Sequence, residues 1–398
     1  MRVPRFEPFA ATRYAPSISL DAVSAPPYDV VSDADVDALV AKDEHNIVRI
    51  DVPREGDGPQ PYALAADHLQ QWLADGIMVV DDLPTFTLYR MRFTDSSGAE
   101  RETVGVIGAL EVVDEGADGV LPHERTTPKA TTDRLDLTRA THANLSPVWG
   151  LSLAAGLTDL LAEPAEPLGS CTDEAGVVHA VERVTDPQRV AAIAAAVAAQ
   201  PVLIADGHHR YAVSRTYRDE QRAAHGGDAG PAELTMAYVA ELVSDQLSID
   251  PIHRTYSGVT ADELLERLAT SFEVTDAGRV TEDFAGEALR RGALCLVLAD
   301  GTGRWLTPRP GAFDDVRDLD GALLEHALDG LGADVAYQHG VTEVIGLVTS
   351  GAVAAAVLIR PTAIAEIRRT ADERLLMPPK STFFTPKLRT GLVIRTFG

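Results

Sequence analysis

Five consecutive residues, Asp206-Gly207-His208-His209-Arg210, place a carboxylate, two imidazoles and a guanidinium directly after the apolar run Val202, Leu203, Ile204. The run is long enough for a buried strand, Asp206-Gly207 reads as a tight turn, and the residues from Tyr211 to His225 read as a helix. A strand, a turn and a helix N-terminus in that order present backbone N–H groups and the positive end of the helix dipole, a natural seat for phosphate or carboxylate. Taken singly, Asp206 is a helix cap and each histidine a surface residue. Four chemically competent side chains within five positions point instead to a ligand site.

Three further stretches carry groups of the same kind. Pro122-His123-Glu124-Arg125-Thr126-Thr127-Pro128-Lys129 offers acid/base and anion-binding side chains after a predicted strand, and the helix predicted over Thr132 to His142 brings Asp133, Arg134 and Arg139 toward the same cleft. Ile252-His253-Arg254 is a second His-Arg pair beyond a strand. Met377 to Leu388, MPPKSTFFTPKL, mixes aromatics, hydroxyls and two lysines, whereas a ragged tail would be polar and compositionally biased. That mixture suits a segment packed back over a site. Near the N-terminus Tyr28, Asp29, Asn46, Arg49 and Asp51 fall at the ends of predicted elements, where sites tend to lie.

The elements that position these groups alternate between the two periodicities. Pro26-Pro27 forces extended backbone into Ser32-Asp33-Ala34-Asp35, an N-cap for a helix through Val40. Asn46 to Asp51 reads as a strand, and Tyr62 to Asp75 as a helix with Leu64, Leu69, Trp72 and Leu73 on one face. Phe86 to Phe93 and Glu102 to Val113 read as a hairpin across Asp95-Ser96-Ser97-Gly98. Val190 to Ala199 reads as a buried helix, Leu234 to Leu242 as a buried strand, His339 to Val348 as another strand, and Ile364 to Arg374 as a helix. The fold class is mixed α/β in two lobes with mixed sheets. Residues 1–165 carry the PPYDV and PHERT stretches, residues 166–398 carry DGHHR and PPKST, and the Pro/Glu loop Glu163 to Gly169 marks the boundary. Polar groups between Thr260 and Val341 do not cluster, so that region reads as support or as a homodimer contact.

Composition narrows the class of partner. The chain has 398 residues, 45% hydrophobic and 24% charged, with no window near the roughly 20 apolar residues of a membrane span. The first residues have no apolar secretory core, so a cytoplasmic location is expected. A formal charge of −25 opposes general attraction to nucleic acid or anionic membranes. Two cysteines, Cys171 and Cys295, have neither zinc spacing nor a disulfide framework. No Walker loop, GxGxxG or GxSxG occurs, which removes the common phosphate-loop and hydrolase-elbow chemistries.

PPYDV (Pro26 to Val30), NIVRID (Asn46 to Asp51), PHERT (Pro122 to Thr126), ANLSP (Ala143 to Pro147), ADGHHRY (Ala205 to Tyr211), IHR (Ile252 to Arg254) and MPPKSTFFTPKL stand in this order over nearly the whole chain. The set resembles the family catalogued as domain of unknown function 1015. Locally, Asp206 to Tyr211 is similar to the helix-opening motif of the ParB/sulfiredoxin superfamily, whose Gly-x-His-Arg holds nucleotide phosphates. Sulfiredoxins carry their reactive cysteine where this chain has His208, so the resemblance implies no sulfinic-acid reduction. It points to the free serine kinases of that superfamily, in which the motif's Asp takes part in catalysis and a Glu elsewhere serves as base. Here the Asp is Asp206, and the Glu is Glu124 or Glu241.

The leading expectation is a nucleotide-dependent phosphotransferase acting on a small hydroxy metabolite such as serine, using ATP or ADP with Mg²⁺. Asp206, Glu124 and His209 are its catalytic candidates. Gly207, His208, His209, Arg210, Arg125, His253, Arg254, Lys380, Ser381 and Thr382 are its nucleotide-binding candidates, and Asp206 and Glu124 its candidate Mg²⁺ ligands. A non-catalytic nucleotide sensor or scaffold is the second expectation. The third is a metal-dependent hydrolase built on His208, His209, His123, Glu124 and Asp206, although adjacent helical residues diverge too far for both histidines to hold one ion easily.

Overall fold

The protein is described by a computed structural model covering residues 2–54, 60–95, 98–125 and 131–397. It divides into two compact units, Met1–Leu247 with Pro386–Gly398, and Ser248–Thr385.

In the first unit, helix α1 (Asp33–Lys42) starts as expected at Ser32. Its hydroxyl accepts the Asp35 N–H at 3.3 Å while the Asp35 carboxylate accepts the Ser32 N–H at 2.9 Å, a reciprocal capping box. Asn46 to Asp51, expected as a strand, is instead a turn of helix, α2 (Val48–Asp51). Buried Asn46 decides this: its Oδ1 accepts the Val48 N–H at 3.1 Å and its Nδ2 donates to the Ala22 carbonyl at 2.8 Å. Ile47, Val48 and Ile50 then bury on the same cluster as Leu69 and Trp72 of α3 (Pro61–Ala74).

The hairpin forms as read: β1 (Phe86–Thr94) and β2 (Glu100–Glu111) pair from Thr87↔Ile107 to Thr94↔Glu100. Ser96 and Ser97 of its turn lie outside the described residues. After them come β3 (Val120–Leu121), α4 (Thr131–Thr141), β4 (Val148–Ser152), α5 (Leu157–Ala162), β5 (Glu166–Thr172) and β6 (Val178–Val184). Then follow α6 (Pro187–Val197), β7 (Val202–Asp206), α7 (His208–Ala224) and β8 (Leu234–Glu241). The sheet order is β3-β7-β4-β8-β2-β1-β6-β5, with Phe6–Glu7 as a ninth strand beside β2. Pairs β7/β3 and β8/β4 are parallel and the others antiparallel, so the sheet is mixed. Leu157 and Leu161 of α5 and Ile193 and Val197 of α6 close one core against Phe86, Leu88 and Val106. Helix α6 buries only that edge, not its whole circumference as its Ala/Val/Ile composition suggested. The boundary expected near residue 165 falls inside this unit, because β5 pairs with β6 and β6 with β1 in one continuous ladder.

The second unit holds β9 (Ile252–Ser257), β10 (Phe272–Arg279), β11 (Leu294–Val297), β12 (Thr302–Pro308), β13 (Asp334–His339) and β14 (Ala355–Leu358). They pair in the order β10-β12-β11-β14-β9-β13, every pair antiparallel. Along β11, Leu294 and Leu296 join one apolar cluster and Cys295 and Val297 another, so both faces of the sheet are covered. The strand expected over His339 to Val348 is a strand end followed by a helix, Val341–Thr349, whose Val344 and Val348 bury at a spacing of four.

Candidate functional site

Strand β7 delivers the DGHHR turn to the middle of the sheet's edge region. Its antiparallel register with β4 shifts between Ile204 and Asp206, a bulge that sets Asp206 opposite Trp149. Gly207 follows in the left-handed region at φ 87°, where a side chain is strained, and α7 begins at His208. A Cβ at Gly207 would also stand 2.9 Å from Arg210 Nε. Glycine is therefore required twice over, for the backbone and for the arginine folded across it.

Arg210 Nη2 donates to Asp206 Oδ2 at 2.9 Å and Nη1 donates to the Pro147 carbonyl of the ANLSP stretch. The other Asp206 oxygen faces Lys387 Nζ at 3.6 Å. The carboxylate thus sits between two cations and is still 31% exposed, in reach of a ligand. His123 is 1% exposed, and its Nδ1 donates to the Ile204 carbonyl at 2.6 Å. That bond places the neutral ring's proton on Nδ1 and leaves Nε2 as an acceptor, 3.7 Å from Glu124 Oε2. Burial pushes the His123 pKa down to about 4, against the opposing pulls of the Ile204 bond and Asp206. The His123 N–H donates to His208 Nε2 at 3.4 Å, with ring centroids 4.9 Å apart. His209 lies half-buried in the first turn of α7, and Arg125 is exposed. Thr126 to Lys129 lie outside the described residues.

The two Glu candidates separate. Glu241 Oε1 and Oε2 accept the Gly156 and Thr158 N–H groups at 3.0 and 2.7 Å, so Glu241 caps α5. Glu124 stands with His123 beside the turn.

Sequence reading did not join the N-terminal motifs to this turn. Arg134 Nη1 donates to the Asp51 carbonyl at 2.7 Å and to Asp51 Oδ1 at 3.2 Å, and its guanidinium lies 4.2 Å over the Tyr28 ring. Asp51 is 2% exposed; burial raises its pKa, and Arg134 and then Arg210 oppose the rise. Burial likewise raises the Tyr28 pKa, with Arg210 the main opposing charge. Tyr28, Asp51, Arg134, Arg210, Asp206 and Lys387 therefore form one connected polar system in the first unit. The local signals were present, since Asp51 and Arg134 stood out singly, but only the fold connects them. Lys387 had no signal beyond its place in MPPKSTFFTPKL.

The remaining candidates belong to the second unit. Arg254, 4% exposed, donates to the carbonyls of Ile252 at 2.5 Å, Lys380 at 3.0 Å and Pro379 at 3.3 Å. His253 Nδ1 accepts the Ile359 N–H at 3.2 Å, and burial, then His339, lowers its pKa to about 3. Ser381 Oγ donates to the Pro378 carbonyl at 2.7 Å, Thr382 is buried, and Lys380 is exposed with φ 57°. Arg254 on β9 thus holds the Pro379–Lys380 turn that leads into Ser381 and Thr382, while His253 bonds Ile359 instead. Among the described residues no group of three or more His, Cys, Asp or Glu is arranged to hold a metal ion, and no helix is long and apolar enough to cross a membrane.

A mixed α/β fold in which a strand next to the sheet's edge ends in a left-handed glycine and a polar helix start defines the class. A family model described as "Protein of unknown function (DUF1015)" matches residues 6–322, and the chain belongs to that family. No curated protein matches it. Among solved structures, a conserved hypothetical protein from Pyrococcus furiosus is similar at TM-score 0.36 and 13% identity, over 69% of this chain and 92% of that one. A free serine kinase in complex with AMP is similar at TM-score 0.36 and 14% identity, over 69% and 88%. SbnI from Staphylococcus aureus, truncated at its C-terminus, is similar at TM-score 0.38 and 12% identity, over 73% and 87%. Scores of this size carry no inference about shared chemistry.

Proposed function

We propose that this protein is a nucleotide-dependent phosphotransferase acting on a small hydroxy metabolite. The observation that carries the reading is the turn at Gly207: a helix start with its N–H groups and dipole, and Asp206 held between Arg210 at 2.9 Å and Lys387 at 3.6 Å. Phosphoryl transfer asks a protein chiefly to cradle anions, neutralise charge and place a base near the acceptor hydroxyl. In this reading the N-terminal turn of α7, with His208, His209 and Arg210, holds the phosphates and Lys387 adds charge. Glu124 takes the proton as the acceptor O–H bond breaks. The acceptor oxygen forms the new P–O bond, and the bridging P–O bond breaks with its electron pair left on the nucleotide. Both Asp206 oxygens already face cations, so the nucleotide's own phosphates would bring the Mg²⁺. The likeness of the Asp206 to Arg210 motif to that of free serine kinases supports the reading.

The test is incubation with ATP or ADP, Mg²⁺ and a panel of hydroxy acids and hydroxy amino acids, scored for phosphorylated product, beside a calorimetric nucleotide titration. Product with nucleotide binding is the expected result. Binding without product for any acceptor would indicate a sensor, and neither binding nor product would refute both readings.

A further inference from the structure

The two large sheets end in four outer strands, and three of these are closed to further pairing. Strand β3 is only two residues long. Strand β5 carries Pro167, shifts register against β6, and ends with the Thr172 N–H donated to Asp21 at 2.8 Å. Strand β10 shifts register against β12 between Asp276 and Gly278 and carries Glu273, Asp276 and Arg279. Short strands, proline, bulges and charge are the devices that keep an edge from recruiting another strand.

The fourth outer strand, β13, has none of them along its middle. It pairs with β9 without a shift from Ile252↔His339 to Ser257↔Asp334, and among the described residues no strand lies on its other side. Five of its six residues are exposed, and the stretch Val335-Ala336-Tyr337-Gln338 between Asp334 and His339 carries no charge. Val335 and Tyr337, on one face, are 48% and 40% exposed, and the Arg254 guanidinium 4.7 Å from the Tyr337 ring holds that ring in place. Beside them is a groove of about 410 Å³, lined by Arg254 and Tyr256 of β9, by Leu324 and Leu328, and by Val335 and Tyr337 themselves.

The strand that fits this edge is β13 of another copy. Alternate residues of β13 turn their N–H and C=O away from β9, so two copies pair only where residues of like orientation meet. An antiparallel pair centred on Ala336 meets that condition. It sets Val335 against Tyr337 of the partner subunit on both sides of the axis, an aromatic against a β-branched side chain, which is a favoured cross-strand combination. The small Ala336 falls on the axis, and Asp334 faces the side-chain amide of the partner's Gln338. Parallel pairing would instead stack Asp334 on its own copy, a like-charge contact directly across the strands.

We propose that the protein is a homodimer joined through β13, its two six-stranded sheets running into one another across a two-fold axis at Ala336. The contact is isologous, covers the exposed Val335 and Tyr337 of each copy, and stands whether or not the protein transfers phosphate.

Sedimentation velocity over a concentration series is expected to show wild type passing from 42.5 kDa to a particle of twice that mass. Val335→Lys combined with Tyr337→Lys sets lysine against lysine at both crossings and should weaken the dimer at least about tenfold. Val335→Asp combined with Tyr337→Lys sets aspartate against lysine, and should recover about fivefold over the double-lysine variant; a pairing centred on Tyr337 would give no recovery. Ala336→Cys should form an interchain disulfide under mild oxidation, because residues opposed across an antiparallel pair have Cα atoms about 4.5–5.5 Å apart. That variant alters one exposed residue and decides the matter if the lysine variants do not fold. A wild type that stays monomeric to about 100 µM, a dimer indifferent to both lysines, no recovery with opposite charges, or no cross-link at Ala336→Cys overturns the proposal.

Discussion

Replacing Gly207 by alanine tests whether the turn's geometry, and not merely its residue types, makes the site. The backbone there is left-handed at φ 87°, a region that costs an ordinary residue about 1–2 kcal/mol. The added methyl would also lie 2.9 Å from Arg210 Nε and 3.0 Å from its Cζ and Nη2. The arginine cannot swing aside freely, since one end is bonded to the Pro147 carbonyl and the other to Asp206. Losing one such charge-assisted bond adds about 1.5–3 kcal/mol, for a total of about 2.5–5 kcal/mol. Gly76→Ala is the control, because Gly76 has φ 71° and nothing within 4 Å of its would-be Cβ, so only the backbone strain of about 1–2 kcal/mol applies. Urea melts of the two variants and an ADP titration read the difference. Gly207→Ala should be the less stable of the pair and bind ADP at least about tenfold more weakly, whereas Gly76→Ala should bind it normally. Equal destabilisation together with unchanged ADP affinity would show that Arg210 is not held by this glycine and that the turn does not form the phosphate seat.

Asp206→Asn removes the charge that orders Arg210 and Lys387, and product formation should drop about 100-fold or more while ADP binds within about threefold; undiminished turnover would remove Asp206 from the chemistry. His123 titrates near about 6.5 when unfolded and at about 4 in the fold, so the unfolded chain binds more protons between those values. Its contribution is fully present above about pH 6.5 and falls by about 3 kcal/mol as pH drops toward 4. Melts at pH 7.5 and 4.5 should show a shallower acid loss in His123→Asn than in wild type, and equal losses would mean that His123 is not buried as a neutral ring. Cys171 and Cys295 are buried, and burial raises both thiol pKa values, that of Cys295 to about 12. Neither should react with an aromatic disulfide reagent at pH 8 until denaturant is added, and rapid labelling of either in the native protein would contradict its place in the core.

Much of the site could be read from the chain because strand, turn and helix follow each other directly, from Val202 to Ala224, and need no distant partner to be recognised. The hairpin at Phe86 was legible for the same reason, as was the Ser32 cap. What escaped depended on long-range bonds. Asn46 to Asp51 has the β-branched composition of a strand, and the bonds of buried Asn46 to Ala22, Ser24 and the Val48 N–H make it a helical turn. The pairing of Asp51 with Arg134 spans 83 positions, and that of Asp206 with Lys387 spans a whole second unit. Glu241 looked as reactive as Glu124 until its two oxygens proved to be spent on the start of α5.

That detour has a consequence for how the protein is made. The chain leaves the first unit at Leu247 and re-enters it at Pro386, and the strands flanking the excursion pair directly, Ser248 with Thr385. The excursion is therefore an insertion with adjoining ends, and the first-unit residues beyond it are made only after it. Lys387, the Arg389 side chain that bonds Ser24, and the strand Arg395–Thr396 that pairs with Ala143–Asn144 all lie beyond the insertion. A nascent chain that has not yet reached Lys387 holds Asp206 and Arg210 without their second cation, so the site is completed only after the whole insertion has been synthesised.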